Sequence, residues 1–253
     1  LLKVGGYGLI RLGAGIFPDQ VQAWAPVMGW LAIVSILYGG FAALAEQHIK
    51  RMIAFSSISH MGFVLLGIAA ATPEALNGAQ LQMFNHGILS SALFLIAGFL
   101  HNRFHEYRIP HFAGLLQPMP ILSFLTAWVF FAALGLPGLN AFVSEFLVLS
   151  GAFRANQLNA FIPQSGVLLA ASGIFLSAAY LLYAYRRMFL GSLFLNGGDA
   201  WLAQAKDMRT WEYLTLLPLC LLMLVLGLFP NLILSLSQQT LAELSGWVFK
   251  VHP

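Results

Sequence analysis

Four side chains that can gain and lose a proton stand within long apolar stretches of this 253-residue sequence. They are Lys3, His60, His86 and Glu145. Insertion scales put the cost of a charged side chain at the centre of a membrane helix at roughly 2.5–3.5 kcal/mol, and ionisable residues in such positions mark ion or proton pathways. Counted along helices that rise about 1.5 Å per residue, all four fall near one depth. Their types and spacing predict a proton relay.

The composition requires that these stretches lie in lipid. Hydrophobic residues make up 59% of the chain and charged residues only 8%, whereas about 25% of an average soluble domain is charged. A soluble domain of this length leaves roughly a quarter to a third of its unfolded surface exposed to water, and this sequence lacks the polar residues to cover that surface. A soluble globule and a disordered chain are therefore both excluded.

The charge-poor runs are long enough to cross a bilayer as helices, and too long and uniformly apolar for the strands of a membrane barrel. We predict one all-α integral membrane domain over 1–253, a polytopic helix bundle without a separate soluble domain. Because the sequence begins without Met inside an apolar run, we expect an N-terminal part to be missing. The predicted segments are a partial helix at 1–16, spans at about 24–45, 52–71, 75–100, 119–151, 163–185 and 213–229, and an amphipathic surface tail at 231–253.

The span at 119–151 is predicted to be discontinuous near residues 136–138. Pro137 removes a backbone donor and frees carbonyl groups that lipid cannot satisfy, so the break must lie inside protein or beside water. Discontinuous helices are common at ion pathways in transporters. Glu145 follows Pro137 by about two helical turns, which favours a role for the break in the relay.

The basic residues are unevenly divided between alternate connections, and the side richer in Lys and Arg is expected to be cytoplasmic or its equivalent. This assignment places the C-terminus on the outer, positive side of the membrane. The richer side holds Lys50, Arg51, Arg103, Arg108, Arg186, Arg187, Lys206 and Arg209, and the other side holds Arg11, Arg154 and Lys250.

We predict no metal site, no cofactor-binding site and no nucleic-acid partner in this chain. Cys220 is the single cysteine, which excludes a disulfide framework and a thiolate metal site. No phosphate-binding loop or dinucleotide fingerprint occurs, so redox chemistry must reside elsewhere. One connection carries several possible zinc ligands, but arginines interleave them and contact with lipid headgroups is the favoured interpretation. These ligands are His101, His105, His111 and Glu106.

Four motifs resemble the antiporter-like membrane subunits of respiratory complex I, and most closely their chain M type. They are LLKVGGYGLIR at 1–11, IKRMIAFSSISHMGFVLLGIA at 49–69, NGAQLQMFNHGILSSALFLIAG at 77–98 and GLPGLNAFVSEFLVLSGAF at 135–153. The last motif is the most specific, because a glutamate at the position of Glu145 is similar to chain M, whereas the sister subunits usually carry lysine there.

The resemblance implies an antiporter-like inverted-repeat fold, of which this chain would hold the second repeat, with its one discontinuous helix, and the C-terminal helices. It implies that Lys3 links two half-channels, that His60 and His86 connect them, and that Glu145 is the terminal acid. A further glutamate and lysine of the family would precede residue 1. The order implied is loading near Lys3, relay through the histidines and release past Glu145.

The same resemblance implies a proton-translocating membrane-arm subunit of NADH:quinone oxidoreductase, a translocase whose FMN, iron–sulfur clusters and quinone are bound by partner subunits. Other membrane-arm subunits, sister antiporter-like subunits among them, and the lipid bilayer would be its partners. The expected location is a bacterial inner membrane, with thylakoid and mitochondrial inner membranes as alternatives. The alternative functions are an Mrp-type Na⁺/H⁺ antiporter subunit, the membrane subunit of an ion-pumping hydrogenase, and a non-conducting structural scaffold.

Overall fold

The computed structural model describes residues 2–159 and 162–249, which form a bundle of helices. The helices are α1 Leu2–Gly8, a π-helical segment Leu9–Ala14, α2 Pro18–Ala45, α3 Ile49–Ala70, α4 Pro73–Phe104, α5 Pro120–Ala133, α6 Asn140–Asn159, α7 Gln164–Phe189, α8 Gly198–Gln204, α9 Thr210–Leu228, α10 Asn231–Leu234 and α11 Gln238–Phe249. Five of them, α2, α3, α4, α7 and α9, are long and apolar enough to cross a membrane, which confirms the predicted all-α membrane bundle.

Several helices extend beyond the charge-free runs used to predict them. Proline occupies the first position of α2, α4 and α5, where its missing N–H leaves no donor unpaired. The hydroxyl of Thr72 caps α4 by accepting the N–H of Ala75 at 3.2 Å. At its other end α4 continues past residue 100 through Arg103 to Phe104. Charge-free runs therefore mark the apolar centre of a helix rather than its ends.

The expected discontinuous helix is present as α5 and α6. The first half ends at Ala133 and the second begins at Asn140. In the turn between them, Gly135 and Gly138 have φ angles of 81° and 92°, a left-handed conformation that is costly for residues with a Cβ. The two glycines therefore allow the chain to leave one helix and enter the next within a few residues.

Close packing of α4 against α6 brings two polar helix faces together. A Cβ atom at Gly78 on α4 would lie 2.7 Å from the backbone nitrogen of Val148 on α6. Small residues permit such approaches between membrane helices. Helix α3 also packs against both α4 and α6, so these three helices surround a common interior.

The two longest connections meet at one end of the bundle. Strand β1, Phe112–Ala113, pairs antiparallel with strand β2, Phe194–Leu195. His48, between α2 and α3, forms an isolated bridge with Arg108. These contacts join the connection after α4, residues 105–119, to the connection after α7, residues 190–209. The two connections together are called the cap.

The C-terminal tail packs its apolar residues against the first residues of the chain. It contains the short helix α10 and the helix α11, whose apolar residues Leu241 and Leu244 are buried in one cluster with Ile10 of the π-helical segment. Val248 is buried beside Ala14. An apolar stripe has the same spacing whether it faces lipid or protein, which is why the sequence did not predict this packing. Residues 250–253 of the predicted tail lie outside the described residues.

Candidate functional site

Glu145 lies in the second turn of α6 and is buried, with 3% of its surface exposed. Its Oε1 atom is 3.2 Å from Nδ1 of His60 on α3. Its Oε2 atom faces the turn of the broken helix, because a Cβ atom at Gly135 would lie 3.1 Å from it. The carboxylate is therefore held between a histidine and the break.

A chain of hydrogen bonds from α4 and α6 ends on the same carboxylate. Asn85 Nδ2 donates to the carbonyl of Asn140 at 2.7 Å and lies 3.2 Å from the Ser144 hydroxyl oxygen. That hydroxyl lies 2.5 Å from Gln82 Oε1, to which it donates. With its oxygen so engaged, Gln82 directs Nε2 toward Glu145 Oε1, at 3.5 Å. The chain fixes which end of the Gln82 amide faces the carboxylate.

His86 on α4 is the neighbour of His60 within the cluster. Their ring centroids are 5.8 Å apart, and each residue is 3% exposed. Nδ1 of His86 has no hydrogen-bond partner among the residues that the structure describes. Buried polar atoms nearly always form a hydrogen bond. This nitrogen is an exception, so it can accept or donate a further hydrogen bond close to the His60–Glu145 pair.

Lys3 on α1 stands apart from the other three predicted residues. It is half-buried and lines an open groove of about 480 Å³ together with Met83 and Gly87. Those two residues flank His86 on α4. No hydrogen bond or ion pair of Lys3 occurs within 2–159 and 162–249. The structure thus brings His60, His86 and Glu145 together and places Lys3 at the turn of α4 that carries His86.

A buried tyrosine near the site was missed by the sequence analysis. Tyr180 on α7 is 1% exposed, and its hydroxyl lies 3.5 Å from Ser177 Oγ and beside the Ser56 side chain. Ser56 and Ser57 lie one turn before His60 and both donate to the carbonyl of Ile53. A tyrosine in an apolar run carries no signal that separates it from a packing residue.

A second buried ion pair corrects the expectation that Arg103 lies in a solvated connection. Its guanidinium makes two hydrogen bonds to Glu212, of 2.7 Å and 2.6 Å, and the two residues are 6% and 1% exposed. Because α4 continues to Phe104 and α9 begins at Thr210, both charges lie on helices. Their separation of 109 positions left no sequence signal for the pairing.

The connection after α4 holds an acid–histidine pair. Glu106 accepts the N–H groups of Tyr107 at 2.7 Å and Arg108 at 3.0 Å, and its other oxygen is 2.7 Å from His111 Nδ1. Burial disfavours the charge on Glu106, but these three donors outweigh it and hold the pKa of the carboxyl below its usual range. His101 stacks on Tyr107 with ring centroids 4.2 Å apart. Over the described ranges, no group of three or more His, Cys, Asp or Glu residues is placed to hold a metal.

Over the described ranges, the helix bundle contains one discontinuous helix, and this helix carries the buried carboxylate of Glu145. Residues 1–170 match the family model described as NADH:quinone oxidoreductase/Mrp antiporter, TM. The chain belongs to this family, which confirms the resemblance drawn from the four motifs.

Individual relatives agree with this assignment. The chain is 42% identical over 250 residues to NAD(P)H-quinone oxidoreductase chain 4 1 of Synechococcus elongatus, covering 98% of this chain and 46% of the relative. It is 39% identical over 235 residues to NADH-quinone oxidoreductase subunit M of Rickettsia prowazekii, covering 93% and 46%. A chain of respiratory complex I from Thermus thermophilus with bound NADH superposes with a TM-score of 0.86 at 29% identity, covering 97% and 50%. The chain spans about half the length of the relatives it matches.

Proposed function

We propose that this chain forms part of a proton-translocating membrane-arm subunit of NADH:quinone oxidoreductase. The observation that carries the proposal is the buried contact between His60 and Glu145 beside the break in the helix. The names of its relatives supply the enzyme, an NADH- or NAD(P)H-quinone oxidoreductase, and in this proposal quinone reduction drives the ion movement. FMN, iron–sulfur clusters and quinone would be bound by partner subunits, and the membrane-arm and sister antiporter-like subunits would be this chain's neighbours.

In the proposed relay a proton passes from the region of Lys3 to His86, then to His60 and finally to Glu145. Transfer between His60 Nδ1 and Glu145 Oε1 needs only the 3.2 Å contact already present. The rings of His86 and His60, 5.8 Å apart at their centroids, need a ring rotation or one bridging water, because proton transfer requires hydrogen-bond reach. The geometry favours His86 before His60.

The proposed orientation puts the cap formed by the two longest connections on the cytoplasmic side and the C-terminus on the outer side. It is supported by the basic residues in those connections, through the positive-inside rule. The proposed location is a bacterial inner membrane, in keeping with the bacterial source of the relatives named above.

The experiment that tests the function is Glu145→Gln in the complete enzyme, reconstituted in vesicles. We expect proton movement per electron to fall while assembly and quinone reduction persist, because glutamine keeps the shape of the side chain but cannot carry the proton. Glu243→Gln, at an exposed residue of α11, is the matched control. An unchanged proton-to-electron ratio in Glu145→Gln would contradict the proposal. Glu145→Lys tests in addition whether a titratable group of either charge at this position supports proton movement.

A second candidate is a subunit of an Mrp-type Na⁺/H⁺ antiporter, favoured by the family description, which covers both classes. Ion movement that continues without quinone reduction and depends on Na⁺ would support it over the first proposal. A nickel-binding partner would instead indicate an ion-pumping hydrogenase. An intact complex that moves no protons in vesicles would indicate a structural scaffold.

A further inference from the structure

A polar pocket of about 270 Å³ opens where α4 ends and α9 begins. The charge of Arg103 in its wall is neutralised by Glu212. Lys206 and Arg209 also line the pocket, are exposed, and form no ion pair within the described parts of the chain. The pocket therefore carries a net positive charge from these two residues. Its lining is completed by Asn102, Ala203 and Gln204.

The backbone that carries the two cations is held in place by the buried ion pair. Arg103 Nε donates to the carbonyl of Lys206 at 2.9 Å and Nη2 donates to the carbonyl of Asp207 at 3.1 Å. Glu212 Oε2 accepts the N–H of Arg209 at 2.7 Å. A binding site whose frame is already ordered loses less conformational entropy when a ligand binds.

The acidic residue between the two cations, Asp207, lies outside the lining of the pocket, and its single negative charge leaves the two cations in excess. The Asp207 carboxylate accepts the N–H groups of Ile121 and Leu122 at 2.9 Å and 3.1 Å, capping the start of α5. The pocket also lies at the N-terminus of α9, a helix of 19 residues, and this end of a helix carries partial positive charge. The local charges consequently favour an anion such as a phosphate group.

Exposed apolar side chains lie close in sequence to the residues that line the pocket, on α8 and at the start of α9. Trp211 and Leu214 on α9 are 44% and 72% exposed, and Leu202 on α8 is 46% exposed. Trp is enriched at the level of lipid headgroups, and α9 is long and apolar enough to span the membrane. Acyl chains fit this face, whereas a free phosphate ion would leave it uncovered.

We propose that this pocket binds the phosphate of an anionic phospholipid, whose acyl chains lie along the exposed face of α9. Lys206, Arg209 and the end of α9 attract the phosphate, and Asn102 and Gln204 supply amide donors. Trp211 marks the boundary between headgroup and chains. This site is independent of proton transport and of the His60–Glu145 pair.

The test is a titration of the full-length protein with phosphatidylglycerol in neutral detergent micelles, with bound lipid counted by native mass spectrometry. The variant is Lys206→Gln/Arg209→Gln, which keeps the backbone bond from Arg209 to Glu212. The control, Arg108→Gln/Arg186→Gln, removes two exposed charges outside the pocket, one in the connection after α4 and one in the last turn of α7, with the same change in net charge. Each Lys or Arg near an anionic surface contributes about fivefold to binding, so we expect about a thirtyfold loss in the variant and a much smaller loss in the control.

The conservative exchange Lys206→Arg/Arg209→Lys keeps both charges and should retain binding. Equal losses in the pocket variant and the control, or no loss in the pocket variant, would overturn the proposal, because binding would then reflect the general surface charge. Displacement of the lipid by inorganic phosphate at equal concentration would assign the pocket to a free anion and overturn the lipid assignment.

Discussion

The Nδ1 atom of His60 and the Oε1 atom of Glu145 lie 3.2 Å apart, although 85 positions separate the residues. Both side chains are 4% exposed. At this distance a proton can pass directly between the two side chains. Gln82 Nε2 also faces Glu145 Oε1, at 3.5 Å, and orients the carboxylate.

Gln82→Leu should slow proton movement by about a hundredfold or less, because a proton-transfer group itself contributes roughly a hundredfold or more and Gln82 only orients such a group. The substitution removes the donor to Glu145 and one acceptor of the Ser144 hydroxyl, which can still donate to the carbonyl of Ala141 at 2.9 Å. Proton movement in reconstituted vesicles, followed across a range of pH, is the measurement. A shift in the pH profile would distinguish a change at the titrating pair from a loss of folded protein.

Gln80→Leu is the matched control, because Gln80 lies on the same helix and faces a groove beside the π-helical segment. It should leave the pH profile unchanged. Equal behaviour of the two variants would show that Gln82 does not position the carboxylate.

A comparison of Gly135→Ala with Gly138→Ala should separate the effect of backbone strain in the turn from the effect of contact with Glu145. Both glycines have positive φ angles, so each alanine should lower the free energy of unfolding by about 1–2 kcal/mol. Only a Cβ at Gly135 meets Glu145, since nothing lies within 4 Å of one at Gly138. We therefore expect similar losses in thermal stability but a loss of proton movement in Gly135→Ala alone. Parallel effects on transport would show that the turn matters only for stability.

Arg103→Met should reduce the free energy of unfolding by about 3–5 kcal/mol, because it leaves the charge of Glu212 buried without its partner. Arg103→Met/Glu212→Leu should be more stable than Arg103→Met, as removal of both charges avoids that penalty. It should remain less stable than the parent, since Arg103 also donates to three backbone carbonyls. Thermal unfolding in detergent, followed by circular dichroism, provides the comparison. A double variant as unstable as the single one would rule out the unpaired charge as the cause.

Acid should loosen the connection that follows α4. The pKa of Glu106 is lower in the folded chain than in the unfolded one, so its ionised form contributes stability at neutral pH. That contribution begins to fall as the pH drops through the unfolded pKa of about 4.3 and is lost below the folded value. The protection factors of the Tyr107 and Arg108 amides, which are corrected for the intrinsic exchange rate at each pH, should be high at neutral pH and lower in acid. Glu106→Gln should abolish this dependence, and an identical acid response in the variant would contradict the assignment.

Each of the four titratable residues interrupts an apolar run, and proline and glycine leave a strong local signal at the break, so both features are predictable from the sequence. The contact of His60 with Glu145 depends on how α3, α4 and α6 pack, which no local pattern encodes. Arg103 was assigned to a solvated connection because a single arginine near the end of a span looks the same whether or not a distant glutamate reaches it.

The two halves of the broken helix are fastened at their starts by different parts of the protein. Asp207 caps α5 through Ile121 and Leu122, whereas Asn85 holds the first carbonyl of α6 at Asn140. One anchor lies in the cap and the other lies in the interior. The turn at 134–139 consequently connects two half-helices whose starts are held by separate contacts. We therefore expect a change of charge at Glu145 to displace α6 and this turn more than the start of α5.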